Sequence, residues 1–215
     1  MSDANLTRPS RPSRRGEAPW EILPMLPRQG SWSVDLYRSI EFRGPFVEFN
    51  DGYLEVLPMP DWMHQAIAFV LAKRLDRFEI GGATGRVVQP PFNLKTTDET
   101  YRHPDLMYLA PASAGRFRQD YWDYADLVVE VLSEGKKDRE RDLVEKRAEY
   151  AAAGIPEYWI VDPVARTILV LSLDGTAYRE AGTYGEADVA RSVALPGFAV
   201  DVGRLFVEAQ PTPPG

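Results

Sequence analysis

Apolar and polar positions alternate over Pro45-Phe46-Val47-Glu48-Phe49 and again over Tyr53-Leu54-Glu55-Val56-Leu57, with Asn50-Asp51-Gly52 between them. Two period-2 runs around such a turn predict a β-hairpin. The period then lengthens. Met63, Ile67, Val70, Leu71, Leu75 and Phe78 recur at helical spacing after Pro60-Asp61, which predicts a helix from an Asp61 N-cap to about Glu79, buried along one face. Gly81-Gly82-Ala83-Thr84-Gly85 ends it. From Arg86 to about Leu94 the chain reads as a strand that Pro90-Pro91 confines to an edge or a bulge, and Thr96 to Thr100 reads as a polar turn.

Three consecutive apolar runs follow, Asp105 to Leu109, Asp126 to Leu132 and Glu157 to Val161, each predicting a buried strand. Between the second and third, Lys136 to Ala153 predicts a helix stopped by Gly154 and Pro156. A short helix or turn at Val34 to Ser39 precedes all of this. A second hairpin around Asp174-Gly175 and a last strand near Val193 to Leu195 close it. The order of elements predicts an α/β domain of mixed α+β character: a central mixed sheet flanked by helices, with N-terminal and C-terminal β-hairpins.

Composition narrows the class. A chain of 215 residues suits one domain, expected over residues 31–207, with a flexible tail at 1–30 and a disordered tail at 208–215. Arg8, Arg11, Arg14 and Arg15 make the first tail basic, so it is either a solubilising arm or one that touches phosphate. The N-terminus has no apolar core of a secretory signal, no run is long enough to cross a membrane, and cysteine is absent. A cytoplasmic protein with no membrane partner is expected.

Charge and the missing residue types restrict the chemistry. With no Cys and only His64 and His103, thiolate sites and a His-Glu-x-x-His zinc helix are excluded, so any metal here should be hard and oxygen-bound. A net charge of −7 argues against a protein that coats nucleic acid non-specifically. There is no G-x-S-x-G elbow, Walker loop or kinase signature. What remains is Asp105 and Glu130, acidic groups in strands that otherwise want burial, and Lys146 in the following helix. Two carboxylates in neighbouring strands can hold a cation of Mg²⁺ size. One of its waters could attack phosphorus while a nearby Lys steadies the developing charge.

Each of these residues also has a plainer use. A lone strand carboxylate is commonly a hydrogen-bonded structural acid. At about 100° per residue, Lys146 and Tyr150 fall beside Asp142, with Val144, Ala148 and Ala151 on the far side, so Lys146 stands at the border of the apolar stripe. Periodicity by itself favours a solvated face with an Asp142–Lys146 ion pair. Glu48 and Glu55 either point into a site or face solvent, the commoner case on a hairpin. His64 is either a capping or structural residue or a proton-transfer group. Arg116, Arg118, Tyr121, Trp122 and Tyr124 suit either nucleic-acid stacking or clipping a loop to its domain.

Taken in order, Val47-Glu48-Phe49-Asn50-Asp51-Gly52, Pro60-x-x-x-His64, Pro104-Asp105, Glu130-Val131-Leu132-Ser133, Asp142-x-x-x-Lys146-x-x-x-Tyr150, Gly154 to Pro163 and Leu195-Pro196-Gly197-Phe198 resemble the Uma-type restriction-endonuclease-like family of the PD-(D/E)XK nuclease superfamily. The resemblance spans about residues 31 to 207. It implies a restriction-endonuclease-like fold and a Mg²⁺- or Mn²⁺-dependent endonuclease acting on DNA. Asp105, Glu130 and the Val131 carbonyl would be metal ligands and Lys146 the catalytic lysine. His64, Glu48 and Tyr150 match recurring family positions as secondary candidates, and a homodimer would reach both strands. The chain departs from the superfamily in one place: Leu132 stands two after Glu130 where Lys is usual, the lysine having moved to the helix. A regulatory or binding module without cleavage, and a hydrolase of small phosphate esters, are the rival readings.

Overall fold

The computed structural model describes residues 26–39, 47–133, 135 and 139–211; residues 1–25 and 212–215, where most of the two expected tails fall, lie outside that set. The hairpin forms as its pattern predicts. β1 (Val47–Asn50) and β2 (Tyr53–Val56) pair antiparallel, and the turn between them places Asp51 at φ 45° and Gly52 at φ 81°. Such left-handed pairs close tight hairpins, and Asp and Gly adopt them at the least cost. Gln29 docks on this hairpin through both ends of its amide, donating to the Leu54 carbonyl and accepting the Leu54 N–H. The preceding helix α1 (Val34–Ser39) stacks Tyr37 on Phe49 at 5.3 Å between ring centroids.

Helix α2 (Trp62–Asp76) starts at the expected cap: Asp61 accepts the His64 N–H at 2.8 Å, satisfying one of the donors that a helix N-terminus leaves open. A small ribbon, β3 (Glu79–Ile80) and β4 (Ala83–Thr84), follows. The structure then departs from the pattern. The stretch expected as one edge strand is two, β5 (Arg86–Val88) and β6 (Asn93–Thr97), parted at the cis Pro90-Pro91 bond and joined to different sheets. Proline offers no N–H to a ladder, so two in succession end one sheet's pairing. The turn after β6 is tighter than expected, and β7 (Thr100–Arg102) begins within the stretch read as polar turn.

Next in order come β8 (Leu106–Leu109), β9 (Tyr121–Trp122), β10 (Leu127–Val131), helix α3 (Lys146–Ala152), β11 (Glu157–Asp162), β12 (Thr167–Asp174), β13 (Ala177–Tyr184), β14 (Val189–Arg191), β15 (Ala199–Asp201) and helix α4 (Val202–Glu208). The central sheet has the order β13-β12-β11-β10-β8-β5, mixed because β10 and β11 run parallel and the other pairs antiparallel. A parallel pair needs a crossover, and α3, entered through a π-helical turn over Arg141–Glu145, provides it. The second sheet, β2-β1-β7-β6-β9, carries the N-terminal hairpin. This is the expected mixed α/β architecture with one sheet added.

The central sheet is covered on both faces. Leu127, Val129 and Val131 of β10 pack in one cluster with Ile67, Leu71 and Leu75 of α2 and Leu205 and Phe206 of α4. Val128 packs in another with Tyr150 and Ala151 of α3. Alternation along the strand puts these clusters on opposite faces. Glu157, fully buried at the start of β11, accepts hydrogen bonds from the Val193 N–H (2.7 Å), the Ala194 N–H, the Ser192 hydroxyl and the Trp159 indole. The loop before β15 is thereby pinned to the sheet. The aromatic loop clips itself down: Trp122 is fully buried, Arg116 lies 4.1 Å over the Tyr124 ring, and the Tyr124 hydroxyl donates to Asp126. Among the described residues no helix is long and apolar enough to cross a membrane.

Candidate active site

The alternation of β10 decides where its acid goes. Because Val128 faces α3, so does Glu130, and its Oε1 accepts hydrogen bonds from Lys146 Nζ at 2.7 Å and the Tyr150 hydroxyl at 2.8 Å. Asp105 stands immediately before β8, beside β10, and its Oδ2 accepts the Val131 N–H at 2.7 Å. His64, one turn into α2, brings Nε2 to 3.0 Å of the same Oδ2. All seven residues expected at the site therefore meet. Asp105, Glu130, Val131, His64 and Lys146 line one cleft of about 180 Å³, and Tyr150 and Glu48 touch or approach its members from beneath.

Lys146 is not on a solvated face. It is 2% exposed and has three carboxylates around it: Glu130, Asp142 Oδ1 at 3.2 Å and Glu48 Oε1 at 3.6 Å. The Asp142–Lys146 pair exists, but inside the protein. The wheel is inverted as well, since Asp142, Lys146 and Tyr150 are buried while Val144 is 61% exposed. The three keep the common face their spacing gives, but the partners of that face, Glu130 and Glu48, are themselves buried, so it turns inward. Glu48, which a hairpin would ordinarily show to solvent, is 0% exposed and meets the Arg102 guanidinium at 3.0 Å through Oε2.

Electrostatics divide these groups. Burial raises Glu130, with Asp142 and Asp105 adding to it, and the Lys146 ammonium does not fully offset them, so the carboxyl is pushed up to about 8. Burial likewise raises Asp142. Burial would also raise Glu48, but Lys146, Arg102 and the His103 N–H together outweigh it and hold this acid down at about 2. Burial would depress His64, but its hydrogen bond to Asp105 reverses the direction upward. Lys146 is raised by the surrounding carboxylates despite its burial.

The Glu48 shift has a measurable sign. Its folded value lies below the ordinary 4.5, so its contribution is present above about pH 4.5 and lost as pH falls through about 2. That depression corresponds to about 3 kcal/mol. Urea unfolding of wild type across this acid range should lose that much more stability than Glu48→Gln does. Parallel acid limbs would contradict the assignment.

Among the described residues, no three His, Asp or Glu side chains form a ready cation cage. The donor set fits a cation that keeps much of its own water. Asp105 and Glu130 each use one oxygen internally, and Asp105 Oδ1 and Glu130 Oε2 accept no hydrogen bond from any described residue. Two carboxylate oxygens from neighbouring strands, with the Val131 main chain between, suit Mg²⁺ or Mn²⁺ rather than a soft metal. Sequence reasoning missed Arg102 and Glu149, whose link to the cleft is made only in three dimensions. Asp142 was visible in the Asp142-x-x-x-Lys146-x-x-x-Tyr150 spacing and as an i,i+4 partner, but not as a residue lining the cleft.

Residues 34–203 match a family model described as Uma2, "Putative restriction endonuclease". The fold is similar to the crystal structure of a putative nuclease belonging to DUF820 from Anabaena variabilis, with a TM-score of 0.65 and 16% identity, over 82% of this chain and 98% of that one. No curated relative matches the chain.

Proposed function

Because the chain belongs to the Uma2 family, whose model describes a putative restriction endonuclease, we propose that it is a divalent-metal-dependent endonuclease hydrolysing DNA phosphodiesters. The observation that carries this is the convergence of Asp105, Glu130 and Lys146 on one cleft, with one carboxylate oxygen of each acid left unused by the described residues. Mg²⁺ or Mn²⁺ bound there would polarise the phosphodiester and make water a better nucleophile.

The remaining work falls to the chain. The Val131 N–H and His64 fix Asp105 so that Oδ1 is the oxygen left to bind, and Lys146 and Tyr150 fix Glu130 in the same way. The Lys146 ammonium, charged at neutral pH and shielded from bulk water, orients the attacking water or stabilises charge growing on phosphate. A homodimer would bring two such clefts to the two strands of a duplex, and the cytoplasm is the proposed compartment.

Purified protein should nick supercoiled plasmid with Mg²⁺ or Mn²⁺ and stop on chelation. One observation favours a second reading: the cleft, at about 180 Å³, is small, which suits an isolated phosphate ester better than a duplex. Turnover of p-nitrophenyl phosphate esters with plasmid left intact would select that reading. Plasmid binding without nicking would select a binding module.

A further inference from the structure

We propose that Glu48 is a positioning residue for Lys146, and that Arg102 is the clamp that sets the lysine from both ends. The inference rests on the nuclease reading for what Lys146 does, but its geometry stands apart from it. Lysine carries a compact charge on a flexible four-carbon stem, so burial alone does not fix where the ammonium points. The Glu130 bond cannot serve as the anchor, since that carboxylate is itself proposed to bind the cation.

Glu48 is fixed without help from either proposed metal ligand, Asp105 or Glu130. Its Oε1 accepts the His103 N–H at 2.9 Å and stands 3.6 Å from Lys146 Nζ, while Oε2 takes Arg102 Nη1 at 3.0 Å. The same guanidinium turns its other side to the lysine's own helix. Arg102 Nε and Nη2 reach the Glu149 carboxylate at 3.1 and 2.8 Å, and Glu149 lies less than one turn beyond Lys146. A third acid, Glu55, meets Nη1 at 3.1 Å. One buried arginine of the second sheet therefore holds both one of the ammonium's three counter-ions, Glu48, and the helix that carries the ammonium. The second sheet is, on this account, part of the active centre.

Glu48→Gln keeps the shape and removes the charge. It should lower kcat for plasmid nicking about 10- to 100-fold with KM little changed, and Arg102→Lys, which loses the fork, should do the same. In a Lys146→Met background the Glu48 substitution should add less than about twofold, because residues acting through one group are not additive. Independently of activity, the ¹⁵N-lysine Nζ signal of Lys146, identified by its absence in Lys146→Met, should be protected from exchange in wild type and shift in Glu48→Gln. Glu48→Asp, which keeps the charge but withdraws it, serves if the Gln variant fails to fold and should shift the signal partway. An unchanged kcat, additive losses or an unmoved Nζ signal would overturn the proposal. If wild type cleaves nothing, the nuclease reading falls and the Nζ signal alone decides the clamp.

Discussion

Glu130→Gln should reduce metal-supported cleavage by about 10³-fold or more while leaving the fold within about 1 kcal/mol of wild type. The two halves have separate causes. With its pKa pushed up to about 8, Glu130 is largely protonated in the metal-free protein near neutral pH, and an amide reproduces that state. The Gln oxygen still accepts from Lys146 and Tyr150. What the amide cannot supply is the negative charge that a divalent cation binds. Chemical denaturation beside plasmid nicking checks both halves. Full activity in this variant would mean that the chemistry lies elsewhere or in a contaminant.

Lys146→Ala should damage both properties. Cleavage should fall about 10²- to 10³-fold, the usual cost of removing one preorganised group that meets developing charge. Stability should fall by about 3 kcal/mol, because removing the cation leaves the buried acids around it short of compensating charge. Glu48, held ionised and wholly buried, keeps Arg102 but loses its other cation, and Asp142 loses its ammonium partner. Lys146→Ala as stable as wild type in urea would show that the carboxylates do not depend on the ammonium.

The contrast between these variants also marks what local pattern could reveal. Period-2 runs located the hairpin and continuous apolar runs the buried strands, which put Asp105 and Glu130 at strand positions; that the two strands are neighbours is shown by the sheet. The Asp142-x-x-x-Lys146-x-x-x-Tyr150 spacing held three polar groups together. Its orientation did not follow, because a wheel buries its apolar side, whereas here the polar side is drawn inward by acids far away in sequence. The hairpin pattern leaves Glu48 open between site and solvent, since nothing near it in sequence announces Arg102, 54 residues on. Such a partner is invisible to any window shorter than that separation. The division into two sheets likewise hung on Pro90-Pro91, which signals an interruption but not where the chain goes next.

The wide turn at Arg141–Glu145 also constrains how this chain can vary in length. Deleting one residue there would regularise the crossover into ordinary α-helix. A widened turn absorbs its extra residue locally, so the helix on either side would keep its direction. Asp142 and Lys146 would then stand three apart and still share a face, which makes this turn the place where the crossover can lose a residue with the cleft held together.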